Sequence, residues 1–208
     1  MIIFPAILSD SLDEVTSLVG LYDSLVGRAH IDLIDDPSLE GKTCSLEQLM
    51  SVSVLSLPTS LQLHLMVQDV SLYLEKIGAC AMNKDTVLFV PASGIVQLPE
   101  DYPYPLGVSI SPGDDLRDEH LTAHTIQIMT VYPGKQGNNF LPEQLVKIDE
   151  LRTMGYAGPV QLDGGIIPET LSVVLEKDVQ PDAMCVGRFL KDDPETGLRV
   201  LQDLCSQA

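Results

Sequence analysis

The sequence predicts an α/β protein, a closed (β/α)8 TIM barrel built as a single domain over residues 1–208. Three observations predict it. Eight short apolar runs recur along the 208-residue chain. Stretches with apolar residues three or four apart, and charges between them, separate most of these runs. The runs are apolar nearly throughout, as strands buried on both faces must be, and a parallel sheet covered by helices buries its strands in that way. Eight such βα units close into a barrel more readily than they extend an open, doubly wound sheet.

The elements follow in order. IIFPAIL at 2–8 is the first strand, and SLDEVTSLVGLYDSLV is the helix after it. AHIDLI at 29–34 is the second strand. LQLHLMV at 61–67 is the third, and DVSLYLEKIGA is its helix. TVLFV at 86–90 and PLGVSI at 105–110 are the fourth and fifth. Around them the helical signal weakens: PASGIVQLPEDYPYP carries four prolines, and SPGDDLRDEHLTAHT is short and polar. An irregular helix is expected after the fourth strand and a short one after the fifth. IQIMTV at 126–131 and PVQLD at 159–163 are strands six and seven, with helices in LPEQLVKIDELRTMG and IPETLSVVLEKD. AMCVG at 183–187 is the eighth. The tail KDDPETGLRVLQDLCSQA closes the chain as a helix with Pro194 in its first turn, where the missing N–H is no loss.

Thirty acidic side chains against twelve basic ones leave a formal charge of −18. That charge repels a phosphate backbone and an anionic membrane alike, so neither nucleic acid nor membrane is an expected partner. No stretch approaches the ~18 uncharged apolar residues of a membrane span. The start, MIIFPAILSD, lacks the basic region and apolar length of a secretion signal, and a cytoplasmic location is expected. The four cysteines, Cys44, Cys80, Cys185 and Cys205, form no C-x-x-C pair and read as separate reduced thiols.

Chemistry in this fold sits at the C-terminal ends of the strands. His30 and Asp32 end the second strand two residues apart, on one face; His64 lies on the third and Asp163 ends the seventh. An acid and an imidazole are poor core material, since each must be desolvated and paired. Two imidazoles and two carboxylates converging from three strands suit one divalent cation, and mixed N and O donors favour Zn, Fe(II), Mn or Co over Ca or Mg. Against the overall negative charge, a phosphorylated substrate needs a local exception. The loops YPGKQGNNF, DGG and VGRF after strands six to eight provide it, because glycine lets backbone N–H groups approach an anion closely. His120 and His124, four apart, read as part of a polar surface helix and not as a second metal pair.

PAILSD, HIDLID, LHLMV, MTVYPGKQGNNF, LDGGI and VGRF, in this order from residue 5 to about 190, resemble the ribulose-phosphate 3-epimerase family. The resemblance implies that His30, Asp32, His64 and Asp163 are metal ligands, and that Asp32 and Asp163 are also the catalytic acid/base pair. It implies that Met66 and Met129 line the active site. Gly134, Lys135, Gln136, Gly137, Gly164, Gly165, Gly187 and Arg188 occupy its phosphate-binding positions, and His64 also meets the substrate. The family interconverts D-ribulose 5-phosphate and D-xylulose 5-phosphate in the pentose phosphate pathway, and commonly as homo-oligomers.

This chain departs from the family pattern at several points. Ala6 replaces a serine, Ile34 a methionine, Gln136 a glycine and Asp36 a glycine. PSLEGKTC stands where a lid follows strand two, strand four lacks F-H-x-E, and Arg188 follows Gly187 in place of serine. An epimerase of another ketose phosphate, such as a hexulose 6-phosphate, and a non-catalytic phosphate-sugar-binding relative are the alternative readings. A decarboxylase of similar fold is disfavoured, because HIDLIDD has no lysine to match the D-x-K-x-x-D of such enzymes.

Overall fold

The computed structural model describes residues 1–52, 55, 60–97, 101–134 and 137–207. Eight parallel strands form one closed barrel in sequence order. They are β1 (Ile2–Ile7), β2 (Arg28–Asp35), β3 (Ser60–Val67), β4 (Val87–Pro91), β5 (Leu106–Ile110), β6 (Ile126–Met129), β7 (Val160–Asp163) and β8 (Ala183–Val186). Closure comes from β1 lying beside β8, with Ile2 opposite Ala183 and Phe4 opposite Cys185. Each strand coincides with an apolar run, to within two residues at either end.

Six α-helices are found among the described residues: α1 (Leu12–Val26), α2 (Leu46–Met50), α3 (Val70–Gly78), α4 (Val146–Thr153), α5 (Pro168–Leu175) and α6 (Pro194–Gln207). Among the described residues, β4 and β5 are followed by 3-10 turns, at Ala92–Gln97 and Asp118–Thr122, as the proline-rich and polar stretches there lead one to expect. α2 answers to none of the helical stretches read from the sequence. It is one and a half turns long, held by a capping box in which Ser45 accepts from the Gln48 N–H and Gln48 accepts from the Ser45 N–H.

Alternation along the strands sorts side chains into two layers. Ile31 and Leu33 of β2 and Leu63 and Leu65 of β3 face outward onto Val15, Val19, Leu74 and Ile77 of α1 and α3. On the other half, Ile126, Ile128, Leu162 and Met184 pack beneath Ile148, Leu151, Leu171 and Leu201. The remaining strand positions face into the barrel, and there polar residues such as Gln62, Gln127 and Gln161 stand beside Phe4, Met66, Phe89 and Met129. The Phe89 ring is fully buried, 2.6 Å from where a Cβ on Gly107 would be, so only glycine fits beside it. Among the described residues no helix is long and apolar enough to cross a membrane.

Candidate active site

Register brings the polar residues together. Asp32 lies opposite His64 across the β2–β3 pair, and Ala6 opposite His30 across β1–β2. Asp163 is the last residue of β7, opposite Met129. His64 Nδ1 stands 3.1 Å from Asp32 Oδ1 and 3.4 Å from Asp163 Oδ2. His30 Nε2 stands 3.5 and 3.8 Å from the same two atoms. One donor atom from each residue falls within 4.8 Å of all the others.

His30 and Asp32 do not end their strand. The β2–β3 ladder runs on to Asp35 and Val67, three residues past Asp32, so the cluster lies below the rim of the mouth. This depth explains its burial: His30, His64 and Asp163 are buried and Asp32 nearly so. Burial opposes ionisation of Asp32, yet the hydrogen bond with His64 and the charge of the two neighbouring imidazoles outweigh it and hold the carboxyl far below the usual range. Burial likewise acts against a charged His64, but Asp163 and Asp32 overcome it and push the imidazole up to about 9.

The residues fit a cation. His30 Nε2 is fully buried, without a hydrogen-bond partner, and directed at two carboxylates. A buried lone pair left so costs free energy, and a cation shared with the carboxylates removes that cost. Two nitrogen and two carboxylate donors suit Zn, Fe(II), Mn or Co. Among the described residues this is the one such grouping of His, Cys, Asp and Glu. His120 does not lie on a polar surface: it is fully buried between the two 3-10 turns, its Nδ1 accepting from the Arg117 N–H, while His124 is exposed.

Above the cluster opens a cavity of about 380 Å³, into which Asp32, His64, Met66, Met129 and Asp163 all face. Its rim is formed by Gly134, Gly137, Gly164, Gly165, Gly187 and Arg188. Lys135 and Gln136 lie outside the described residues. Gly164 has φ +110° and sits against the Val131 side chain, so no larger residue fits there. The turn is pinned by hydroxyls: Thr130 donates to the Gly164 carbonyl at 2.6 Å and Thr170 to that of Gly165 at 2.7 Å. The Cys185 thiol also faces the cavity, but burial, with Asp163 and Asp32 adding to it, raises it far above its ordinary value, so it is a neutral wall.

The segment 36–44, which replaces the expected lid, crosses the mouth. Cys44 N–H donates to the Ser9 carbonyl, Ile34 N–H to Thr43 Oγ1, and Gly41 N–H to the Gly134 carbonyl at 2.6 Å, tying the β2 loop to the β6 loop. Thr130, Thr170 and the buried glutamines Gln62, Gln127 and Gln161 escaped the sequence reading. A signal was present for the last three: each stands two residues before an inward-facing site residue, in LQLH, IQIM and VQLD.

A closed parallel barrel that gathers two imidazoles and two carboxylates beneath its mouth is a (β/α)8 barrel with a candidate cation site below the rim. Residues 2–190 match the Ribulose-phosphate 3 epimerase family, a family of isomerases, and the chain belongs to it. It is 29% identical over 190 residues to ribulose-phosphate 3-epimerase of Methanocaldococcus jannaschii, covering 86% of this chain and 80% of that one. It is 25% identical over 163 residues to the cytoplasmic isoform from Oryza sativa, covering 69% and 67%. Among solved structures, 3-keto-L-gulonate-6-phosphate decarboxylase from Vibrio cholerae superposes with a TM-score of 0.69 at 13% identity, covering 100% of this chain and 97% of the other. KGPDC from Streptococcus mutans in complex with D-R5P gives 0.66 at 13%, covering 99% and 97%. At that identity the likeness is one of fold.

Proposed function

We propose that this chain inverts C3 of a ketopentose phosphate, interconverting D-ribulose 5-phosphate and D-xylulose 5-phosphate. The observation that carries the proposal is the meeting of Asp32 and Asp163, from β2 and β7, around His64 at the floor of a glycine-rimmed cavity. Epimerisation beside a carbonyl removes a proton from one face of the carbon and returns one to the other. One carboxylate takes the C3 proton, the electron pair passes into a planar enediolate, and the protonated carboxyl on the opposite face delivers its proton to C3. In the reverse direction the two exchange roles.

A divalent cation held by His30, Asp32, His64 and Asp163 would supply Lewis-acid stabilisation of the charge that develops on oxygen, worth several kcal/mol. Met66 and Met129 present thioethers with no proton to give, which keeps stray protons from the intermediate. At the far end the N–H groups around Gly164, Gly165 and Gly187 and the guanidinium of Arg188 receive the phosphate. Arg188 reaches over the β6 loop, its Nη1 lying 2.9 Å from where a Cβ on Gly137 would be.

A second reading rests on the cavity's extension. The mouth continues past Met66 along β3–β5 as a hollow of about 300 Å³ lined by Ser93, Ser109 and Ser111, room for the longer chain of a hexulose 6-phosphate. The test is turnover of both substrates in deuterated water after reconstitution with Zn, Fe(II), Mn and Co in turn. Conversion of ribulose 5-phosphate with deuterium entering at C3 is the expected result. Preference for the hexulose favours the second reading, and a metal-loaded chain that binds ribulose 5-phosphate yet turns over neither is a sugar-phosphate binder.

A further inference from the structure

Below the cluster the barrel interior is filled by glutamines. Gln62, Gln127 and Gln161 are buried, on β3, β6 and β7. Gln127 Nε2 donates to Asp163 Oδ2 at 2.9 Å. Gln127 Oε1 accepts from Gln161 Nε2 at 2.8 Å. Gln161 and Gln62 form a reciprocal amide pair, with bonds of 2.9 and 3.0 Å. Gln62 Oε1 then stands 2.9 Å from His30 Nδ1.

The chain of bonds has a direction, and its far end sets it. A carboxylate accepts and cannot donate, so Asp163 turns the amide nitrogen of Gln127 toward itself and leaves the oxygen facing Gln161. Gln161 must therefore present nitrogen to Gln127; that nitrogen also faces Gln62, which must present oxygen. An oxygen opposite His30 Nδ1 requires a proton there. Turning any one amide over would set oxygen against oxygen or N–H against N–H in a dry interior, where an unmade hydrogen bond costs about 1–3 kcal/mol. The lone pair of neutral His30 consequently lies on Nε2, the atom that faces Asp32 and Asp163 without a partner.

We infer that Gln127, Gln161 and Gln62 are positioning residues: a directional amide relay through the barrel core that fixes the His30 proton on Nδ1 and leaves Nε2 free to ligate a cation. The inference rests on the reading of the cluster as a cation site. Gln161 is its distinguishing member, because its side-chain polar contacts are with Gln62, Gln127 and the Cys185 thiol and with none of the four candidate ligands.

The test begins with ¹⁵N NMR of His30 in the full-length chain, metal-free and zinc-loaded. A proton on Nδ1 in both states is expected; a proton on Nε2 alone overturns the relay, whatever the outcome with metal. The second measurement is Zn²⁺ affinity by competition with a chromogenic chelator. Gln161→Met and Gln62→Met are expected to weaken binding about 10- to 100-fold, as loss of support behind a metal-ligating histidine does. Unchanged zinc affinity in a folded Gln161→Met chain overturns the relay while leaving the cation site standing. A wild-type chain that binds no zinc, yet holds the proton on Nδ1, removes the cation site instead.

Discussion

Asp163 is held by Gln127 below and Thr130 beside, the Gln127 amide donating to its Oδ2 and the Thr130 backbone N–H to its carbonyl. Asp163→Asn keeps that shape and removes the proton-transfer group. We expect kcat to fall by about 10²–10⁴-fold with the fold retained, measured by coupled assay and circular dichroism; an unchanged rate removes Asp163 from the mechanism. In the proposed reading Arg188 meets the other end of the substrate. Arg188→Ala is expected to raise KM for the phosphorylated sugar about tenfold or more, and to leave turnover of unphosphorylated ribulose unaltered. His64 sets a pH dependence. Its value of about 9 lies above the ordinary 6.5, so the stability it lends the metal-free chain is complete below about pH 6.5 and lost as pH rises through 9. Asp32 has the opposite sign: its carboxyl is depressed, so its contribution holds above the ordinary 3.8 and is lost in acid. Cation binding needs His64 neutral, so affinity is expected to tighten about tenfold per pH unit from 6.5 toward 9, which calorimetric titration at several pH values checks.

The elements carry these residues unequally. The two long, mutually paired strands β2 and β3 supply three of the four donors, and β7 supplies the fourth. The segment 36–44 forms a strap above them. Thr43 accepts from the Ile34 N–H at 2.9 Å, so Thr43→Val frees the strap's return to β2. We expect a several-fold rise in KM and little change in melting temperature, from steady-state kinetics and a thermal scan. The strands and the long helices were legible in the sequence because apolar period and length agree there. α2 was not: five residues give no period, and only its capping pair, Ser45 and Gln48, marked it. His120 was misread because a polar neighbourhood along the chain says nothing of a 3-10 turn folding back over its ring. The four donors were legible as residues on a common face. Their depth was not, since it depends on how far the β2–β3 ladder continues, and neither were the glutamines, whose role appears only when three distant strands meet.

At the scale of the molecule, closure of β1 on β8 sets Ala6 and Cys185 beside the cluster and makes its geometry a property of the whole barrel. A cation bound there should stabilise the entire fold by mass action: removal by chelator is expected to lower the melting temperature, and zinc to restore it in a concentration-dependent way. The formal charge of −18 gives an anionic substrate no general attraction, so the proposed binding would rest on Arg188 at the rim and a cation at the floor. The central claim is that His30, Asp32, His64 and Asp163 hold one metal ion at the floor of the mouth. Anomalous diffraction at the absorption edge of the metal found by elemental analysis tests it most directly. One peak about 2 Å from a nitrogen of each imidazole and an oxygen of each carboxylate is the predicted result. A fully metallated crystal with no peak there, or with one touching neither histidine, would contradict it.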